Sequence, residues 1–308
     1  MKVSIIIPAH NRRSITLDCL QRLKQQGVLS WANVILVDDG STDGTSEAVR
    51  AGFPATTLLS GDGHLWWGGA MQLGIWRAYF DGADYVIWLN DDCHTRSHSL
   101  SSLLQVSQAK HAITVAPCIL RETGTLHYGG LRQTKDGVEV IPCRQNEVIP
   151  CDTICGNCVC VPREVIERIG ALDISAFPHF AGDADYGFRA RDAGFPLFIV
   201  GDAVCDSSYG SAKNRQSWLL GDMSLGQLWA LCFHPMNGTL ARPGFIFKVR
   251  HWGFYGYMQY AKAFIKLIMV SLLRLIFPRP LRLFLFSRNH TTYQHIQAVK
   301  QWETTESV

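Results

Sequence analysis

Five consecutive apolar or aromatic residues, Tyr85-Val86-Ile87-Trp88-Leu89, run directly into Asn90-Asp91-Asp92. A run with no polar alternation reads as a strand buried on both faces, the kind found in parallel sheets covered by helices. Two carboxylates therefore stand where a core strand ends. Adjacent acids repel each other, and at the mouth of a buried strand that is costly unless a cation joins them. A divalent metal with oxygen ligands, commonly one that also holds phosphates, is the usual partner. Taken alone, the pair reads first as an N-cap for a following helix. Its neighbours in the fold have to decide.

The flanking chain supplies those neighbours. Residues 3–7 read as a buried strand stopped by Pro8, and 14–25 as a helix with Ile15, Cys19, Leu20 and Leu23 on its apolar face, closed by Gly27. A second strand over 34–37 ends in Asp38-Asp39-Gly40-Ser41-Thr42-Asp43-Gly44, a turn rich in helix-starting residues that leads into 46–50. A short strand at 56–59, glycine-containing loops through 61–69 and a helix over 70–80 precede the central run. This alternation predicts right-handed βαβ units in an α/β fold with an open parallel sheet. Ligands bind such sheets beyond the carboxyl ends of the strands. Asn11, Asp39, Asp91 and Asp92 all fall at that edge.

The second half is less regular. Strands are expected at 113–116, within 153–161 and at 196–200, with hairpin turns at 124–130 and 134–137. Helices are expected over 162–169 and after the loop that begins at Phe177, the latter stopped by Gly194. The clearest boundary is the polar stretch 207–221.

At 308 residues and 47% hydrophobic, the chain can bury one large core or two small ones. A net charge of +3 argues against nucleic acid as a bulk electrostatic partner. The charge is uneven, however. Residues 241–308 hold ten Lys and Arg against two acids, a local +8. The N-terminus lacks a signal-peptide core and a small-residue cleavage site, so a cytoplasmic protein is expected. Its ten cysteines would then be reduced thiols.

The segments Ile5-Ile6-Ile7-Pro8-Ala9-His10-Asn11-Arg12, Val37-Asp38-Asp39-Gly40-Ser41-Thr42-Asp43 and Leu89-Asn90-Asp91-Asp92, in this order and at this spacing, resemble the family 2 glycosyltransferases. The resemblance covers about residues 1–210. It implies the A-type glycosyltransferase fold, a Rossmann-like, mostly parallel central sheet flanked by helices, and a nucleotide-sugar donor. Gly63-His64-Leu65-Trp66-Trp67-Gly68-Gly69 resembles the glycine-rich segment of the rhamnosyltransferase-like branch, with Trp in place of one glycine. Carried over by position, Pro8, His10 and Asn11 line the nucleotide pocket together with Gly69, and Asp39 accepts a hydrogen bond from the base. Asp91 lies near the ribose and first phosphates, and Asp92 ligates Mg²⁺ or Mn²⁺. A metal bridging the diphosphate would offset its charge as the sugar–oxygen bond breaks.

Phe177-Pro178-His179-Phe180-Ala181-Gly182-Asp183-Ala184-Asp185 and the following helix resemble the family's acidic pair. Asp183 aligns with the general base that deprotonates the acceptor hydroxyl, while Gly182 replaces the usual preceding Glu. Asp185 and Arg189, four apart, are expected to pair on the helix. Gly156 and Asn157 resemble an acceptor-side loop. A His that completes the metal site in many relatives has no counterpart in Val204-Cys205-Asp206-Ser207-Ser208, where Asp206 is the substitute on offer.

Cys151, Cys155, Cys158 and Cys160 invite a zinc reading, but no second Cys-x₂-Cys pair or nearby His pair follows, so packing as small hydrophobes is expected. His94 and His98 read as a solvated loop or helix face. Trp66 and Trp67 suit either stacking on a sugar or base, or core packing.

The domain expectation is a catalytic region over 1–215, with a nucleotide half (1–95) and an acceptor half (96–215), then a basic, aromatic-rich helical extension over 216–308. The uncharged run 267–273 is far short of the ~20 residues a membrane span needs. An amphipathic element lying on an anionic membrane surface fits better, with helices packing on the catalytic region or a second subunit as the alternative. The expected activity is an inverting, metal-dependent transfer of a hexosyl or deoxyhexosyl group to a saccharide or lipid-linked acceptor, in cell-surface polysaccharide or glycolipid synthesis. The rivals are a sugar-1-phosphate nucleotidyltransferase and a non-catalytic nucleotide-sugar binder at the membrane. The first would want a glycine-rich, basic loop after strand one, and Pro8-Ala9-His10-Asn11 is not that.

Overall fold

A computed structural model describes residues 1–121, 123–207, 218–234, 236 and 239–286. The chain divides into two compact units, Met1–Tyr209 and Gly210–Val308.

In the first unit, the opening half alternates as expected: β1 (Val3–Ala9), α1 (Arg13–Gln25), β2 (Asn33–Asp38), α2 (Thr45–Gly52), β3 (Thr57–Ser60), α3 (Trp66–Phe80) and β4 (Tyr85–Leu89). The following half holds β5 (Cys93–Thr95), α4 (Ser99–Lys110), β6 (Ile113–Val115), β7 (Cys118–Leu120), β8 (Leu126–Tyr128), β9 (Gly130–Gln133), β10 (Val138–Val140), β11 (Val148–Pro150), β12 (Thr153–Ile154), β13 (Cys158–Pro162), α5 (Arg163–Ile169), α6 (Gly182–Asp192), β14 (Leu197–Val200) and β15 (Cys205–Ser207).

The central sheet has eight strands in the order β11-β14-β6-β13-β4-β1-β2-β3. The stretch from β4 to β3 is parallel throughout. β13 enters antiparallel between β4 and β6, and β11 closes the far edge antiparallel to β14, so the sheet is mixed. Val86 to Leu89 are fully buried, as are Ile5, Ile6 and Ile7, which is what a sheet covered on both faces requires of its central strands. One apolar cluster joins α1 and α4 to one face, and a second joins α3, α5 and α6 to the other. A small four-stranded sheet, β5-β15-β7-β8, has no counterpart in the sequence expectation.

α3 begins at Trp66, four residues earlier than its glycines suggest. Gly68 and Gly69 lie inside the helix because packing there requires a bare backbone. A Cβ on Gly68 would sit 2.6 Å from the Pro178 carbonyl oxygen, which instead accepts the Gly68 N–H at 2.9 Å. Close approach outweighs the ~1 kcal/mol helix penalty of glycine.

The second unit holds α7 (Leu225–Cys232), α8 (Arg242–Trp252), α9 (Phe254–Ile276) and α10 (Arg279–Phe286) around Leu228, Cys232, Leu240, Leu267 and Val270. Ser224 and Gln227 form a capping box that starts α7. Two of the basic residues face inward. Arg274 donates to the Trp218 carbonyl at 2.9 Å, and the buried Arg282 donates to the Leu219 and Phe277 carbonyls, each at 2.9 Å. α9 also presents Ile265, Met269, Leu272 and Ile276 to solvent at helical spacing. Among the described residues no helix is long and apolar enough to cross a membrane.

Candidate active site

The carboxyl ends of β1, β2 and β4 surround a cleft of about 340 Å³, lined by Pro8, His10, Arg12, Asp39, Trp66, Trp67, Asn90, Asp91 and His179 among others. The apolar strands fix its floor, and each polar group enters just as its strand ends.

At β4 the acid pair has its cation. Arg12 reaches across from the β1 loop, with Nη1 3.1 Å from Asp91 Oδ1 and Nη2 2.8 Å from Asp92 Oδ2. Thr16, on the first turn of α1, donates its hydroxyl to Asp91 Oδ2 at 3.0 Å. Asp91 is 1% exposed and Asp92 15%. Burial is the main cause that pushes Asp91 up to about 6; Arg12 pulls it down and Asp92 pushes it up. A carboxylate held this way sits where added positive charge is most favourable.

Asp39 builds the opposite wall. Its Oδ1 accepts the backbone N–H of Gly63 at 2.9 Å and of Leu65 at 3.2 Å, and its Oδ2 accepts that of Trp66 at 2.9 Å. A carboxylate offers about four acceptor positions, so one remains on Oδ2. His10 pairs through Nδ1 with the Asp39 carbonyl, while its Nε2 lies 2.9 Å from the Asn11 side-chain amide. In that network Nδ1–H donates to the Asp39 carbonyl and Nε2 accepts from the Asn11 amide. Asn11 adopts a left-handed backbone (φ 50°), and its Oδ1 accepts the Thr42 N–H at 2.8 Å. Asn11 therefore shapes the loop and does not itself line the cleft.

Asp183 opens α6 and is joined to the cleft by a short chain of contacts. Its Oδ2 accepts the Gly156 N–H at 2.6 Å and its Oδ1 the Ala184 N–H at 2.8 Å. Gly156 lies against Trp67, where a Cβ would sit 2.6 Å from the indole ring. Trp67 Nε1 donates to Asn90 Oδ1 at 2.8 Å, and the Asn90 N–H donates to the Asn157 carbonyl at 2.9 Å. Burial raises Asp183 above the ordinary carboxylate range, opposed by the N–H groups of Gly156 and Ala184 and by His179. Asp185, fully buried, pairs with Arg189 at 2.8 Å, and Arg189 also donates to the Ile169 and Ala171 carbonyls.

Other expected residues fall elsewhere. Gly69 is buried inside α3 against Leu65 and does not line the cleft. Asp206 is held by Arg96 at 2.9 Å, also outside the cleft lining. Arg12, Thr16 and His179 carry no role in the sequence reading. Arg12 had a signal, since an acid pair at a strand end needs a cation and Arg12 follows Asn11 at the same edge.

The glycosyl transferase family 2 model matches residues 4–170. The chain belongs to that family. The uncharacterized protein Rv1525 of Mycobacterium tuberculosis (strain ATCC 25618 / H37Rv) is 22% identical over 205 residues, covering 65% of this chain and 71% of the relative. Among solved structures, GalNAc-T7 with UDP, GalNAc and Mn²⁺ aligns at TM-score 0.58 and 14% identity, over 68% of this chain and 44% of that one. The mannosyltransferase PcManGT of Pyrobaculum calidifontis, in complex with GDP-Man and Mn²⁺, aligns at TM-score 0.55 and 15% identity, over 99% and 79%. Residues 1–349 of TarS from S. aureus align at TM-score 0.51 and 16% identity, over 68% and 60%. The chain thus spans about half the length of GalNAc-T7 and somewhat less than two thirds of the TarS fragment. These likenesses establish the A-type glycosyltransferase fold.

Proposed function

We propose that the chain transfers a hexosyl or deoxyhexosyl group from a nucleotide-diphosphate sugar to an acceptor hydroxyl, with inversion at the anomeric carbon. The observation that carries this reading is the convergence of Asp39 and Asp91 on one cleft, with Asp92 tied to its edge through Arg12 and Asp183 joined to it through Gly156, Trp67 and Asn90.

The nucleotide enters along Pro8, His10 and Asp39, whose remaining acceptor position faces a base N–H. Trp66, 41% exposed, offers a stacking surface. The donor set at β4 fits a divalent cation: two carboxylates that already require positive charge, one of them partly open, beside space for phosphate oxygens. Asp92 is the protein ligand and Asp91 the buried acid behind it. Mg²⁺ or Mn²⁺ held there supplies charge neutralisation for the departing diphosphate. Arg12 adds positive charge at the same edge and is free of any proton-transfer duty, since a guanidinium does not deprotonate. Asp183, raised by burial, accepts the acceptor's proton as its oxygen attacks from the opposite side of the sugar. Asp185 and Arg189 keep the first turn of α6 in register. Gly156 and Asn157 border the acceptor.

The acceptor is a saccharide or lipid-linked saccharide of cell-surface polysaccharide or glycolipid synthesis, met in the cytoplasm at an anionic membrane surface. The exposed apolar face of α9, with Lys262 and Lys266 on the same helix, supports that placement. The test is a panel of nucleotide sugars screened for thermal stabilisation with and without Mg²⁺ or Mn²⁺. At least one donor should raise the melting temperature only when metal is present. Equal shifts without metal would remove the metal from the reading, and no shift with any donor would remove the donor site. Binding to phosphatidylserine vesicles, lost when residues 241–308 are deleted, checks the membrane placement.

A further inference from the structure

Behind the acid pair lies a cluster that the transfer reaction does not use. Cys93, the residue after Asp92, opens β5; Cys118 opens β7; Cys158, the residue after Asn157, opens β13; and Cys205 opens β15. Each is at most 2% exposed. The Sγ atoms of Cys93, Cys118 and Cys205 all lie within 4.8 Å of one another, with Cys93 and Cys118 at 3.6 Å. The Cys158 thiol also interacts with those of Cys93 and Cys205, just outside the trio whose sulfurs are all within 4.8 Å of one another.

Strand register explains the convergence. Cys205 stands directly opposite Cys118 in the parallel β15–β7 pair, and β5 flanks β15 on its other side. Cys158 stands opposite Leu89 at the end of β4, on the neighbouring sheet. Four thiols from four strands, spread over more than a hundred residues of sequence, meet at the seam between the two sheets. The chain's other six cysteines take no part in this group.

From this geometry we infer a structural zinc site whose ligands are Cys93, Cys118, Cys158 and Cys205. A Zn–S bond of about 2.3 Å in a tetrahedron sets sulfur–sulfur edges of about 3.8 Å; the Cys93–Cys118 distance of 3.6 Å nearly matches this, and Cys158 would close on the trio as the fourth ligand. Iron–sulfur clusters hold their cysteine sulfurs farther apart, because irons and sulfides stand between them, so a single soft ion fits this group better. All four positions are filled by protein and none opens to the cleft, which marks a structural site, not a catalytic one. Binding converts four buried thiols to thiolates, and the four protons leave to solvent. The ion would fasten the chain directly after Asp92 to the strand that follows Asn157 and to β15, bracing the sheet edge from behind.

The test is elemental analysis of the full chain purified under reductant without chelator, followed by replacement of the bound metal with Co²⁺. The expected result is a single equivalent of zinc and, with cobalt, intense sulfur-to-metal charge-transfer absorption. Both should be lost in Cys118→Ser/Cys205→Ser and kept in Cys19→Ser and in Asp91→Asn/Asp92→Asn. If the cysteine variant does not fold, the wild-type chain decides: a strong zinc chelator should lower its melting temperature by several degrees. A folded chain with substoichiometric zinc after reconstitution, cobalt absorption without the charge-transfer band, or a melting temperature indifferent to the chelator would each overturn the site.

Discussion

The acids at the cleft and the acid behind it are balanced by different partners. On the donor side, Asp91 and Asp92 share the Arg12 guanidinium, and Asp39 accepts three backbone N–H groups. On the acceptor side, Asp183 has two backbone N–H groups and no guanidinium or ammonium within salt-bridge distance among the described residues. Burial accordingly raises it. The contrast separates two tasks. Burial raises Asp91 as well as Asp183, but only Asp91 has a guanidinium opposing that rise, which suits a cation site at β4 and a proton acceptor at Asp183 in the proposed reaction.

Asp183→Asn breaks the contrast most sharply. Transfer should fall by roughly 10²–10⁴-fold while donor-dependent thermal stabilisation persists. A variant that loses donor binding or cooperative folding along with activity would make Asp183 a cap and not a base. The pH profile sharpens the same point. Transfer needs the ionised carboxylate, so the rate should fall as pH drops through a pKa above the usual carboxylate range, and that limb should vanish in the Asn variant. For stability the sign is reversed. A raised acid contributes most below its ordinary pKa, and that contribution is lost as pH rises through the raised one.

Arg12→Met comes next. It leaves the buried Asp91 without its charged partner, which should cost about 1–3 kcal/mol in denaturant melts. Millimolar Mg²⁺ or Mn²⁺ should recover part of that loss in the variant and do less for the wild-type chain. No recovery would separate the guanidinium position from any cation site. The smallest effect is expected at Arg96, whose exposed pair with Asp206 should be worth at most ~1 kcal/mol. Arg96→Ala should also leave metal-dependent donor binding unchanged, because Asp206 lines no part of the cleft.

Much of the donor side was legible because its signals are local. Tyr85–Leu89 and residues 3–7 are apolar runs long enough to declare buried strands, and polar residues of the cleft follow each within a few positions. The acceptor side was harder. β5, β7 and β15 have three residues each, too few for any period to show. Gly68 and Gly69 read as a break because glycine's low helix propensity is visible in sequence, while the carbonyl packed against them is not. Arg12 lies 79 and 80 positions from its carboxylates, so the need for a cation could be read, while its source was hinted at only by Arg12's place after Asn11 at the same edge. The four thiols escaped for the same reason. Spacing along the chain identified a different set, Cys151, Cys155, Cys158 and Cys160, of which only Cys158 belongs to the cluster.

The contact between Gly68 and Pro178 sets a rule for anyone who would re-engineer acceptor choice by loop exchange. The segment before Asp183 is a natural place to graft, but its Pro178 carbonyl seats directly on the α3 backbone. A transplanted loop must therefore present a bare carbonyl at that point, whatever side chains it carries elsewhere. Grafts that ignore this would tilt α3 and with it Trp67, so that a change meant for the acceptor would be felt by the donor.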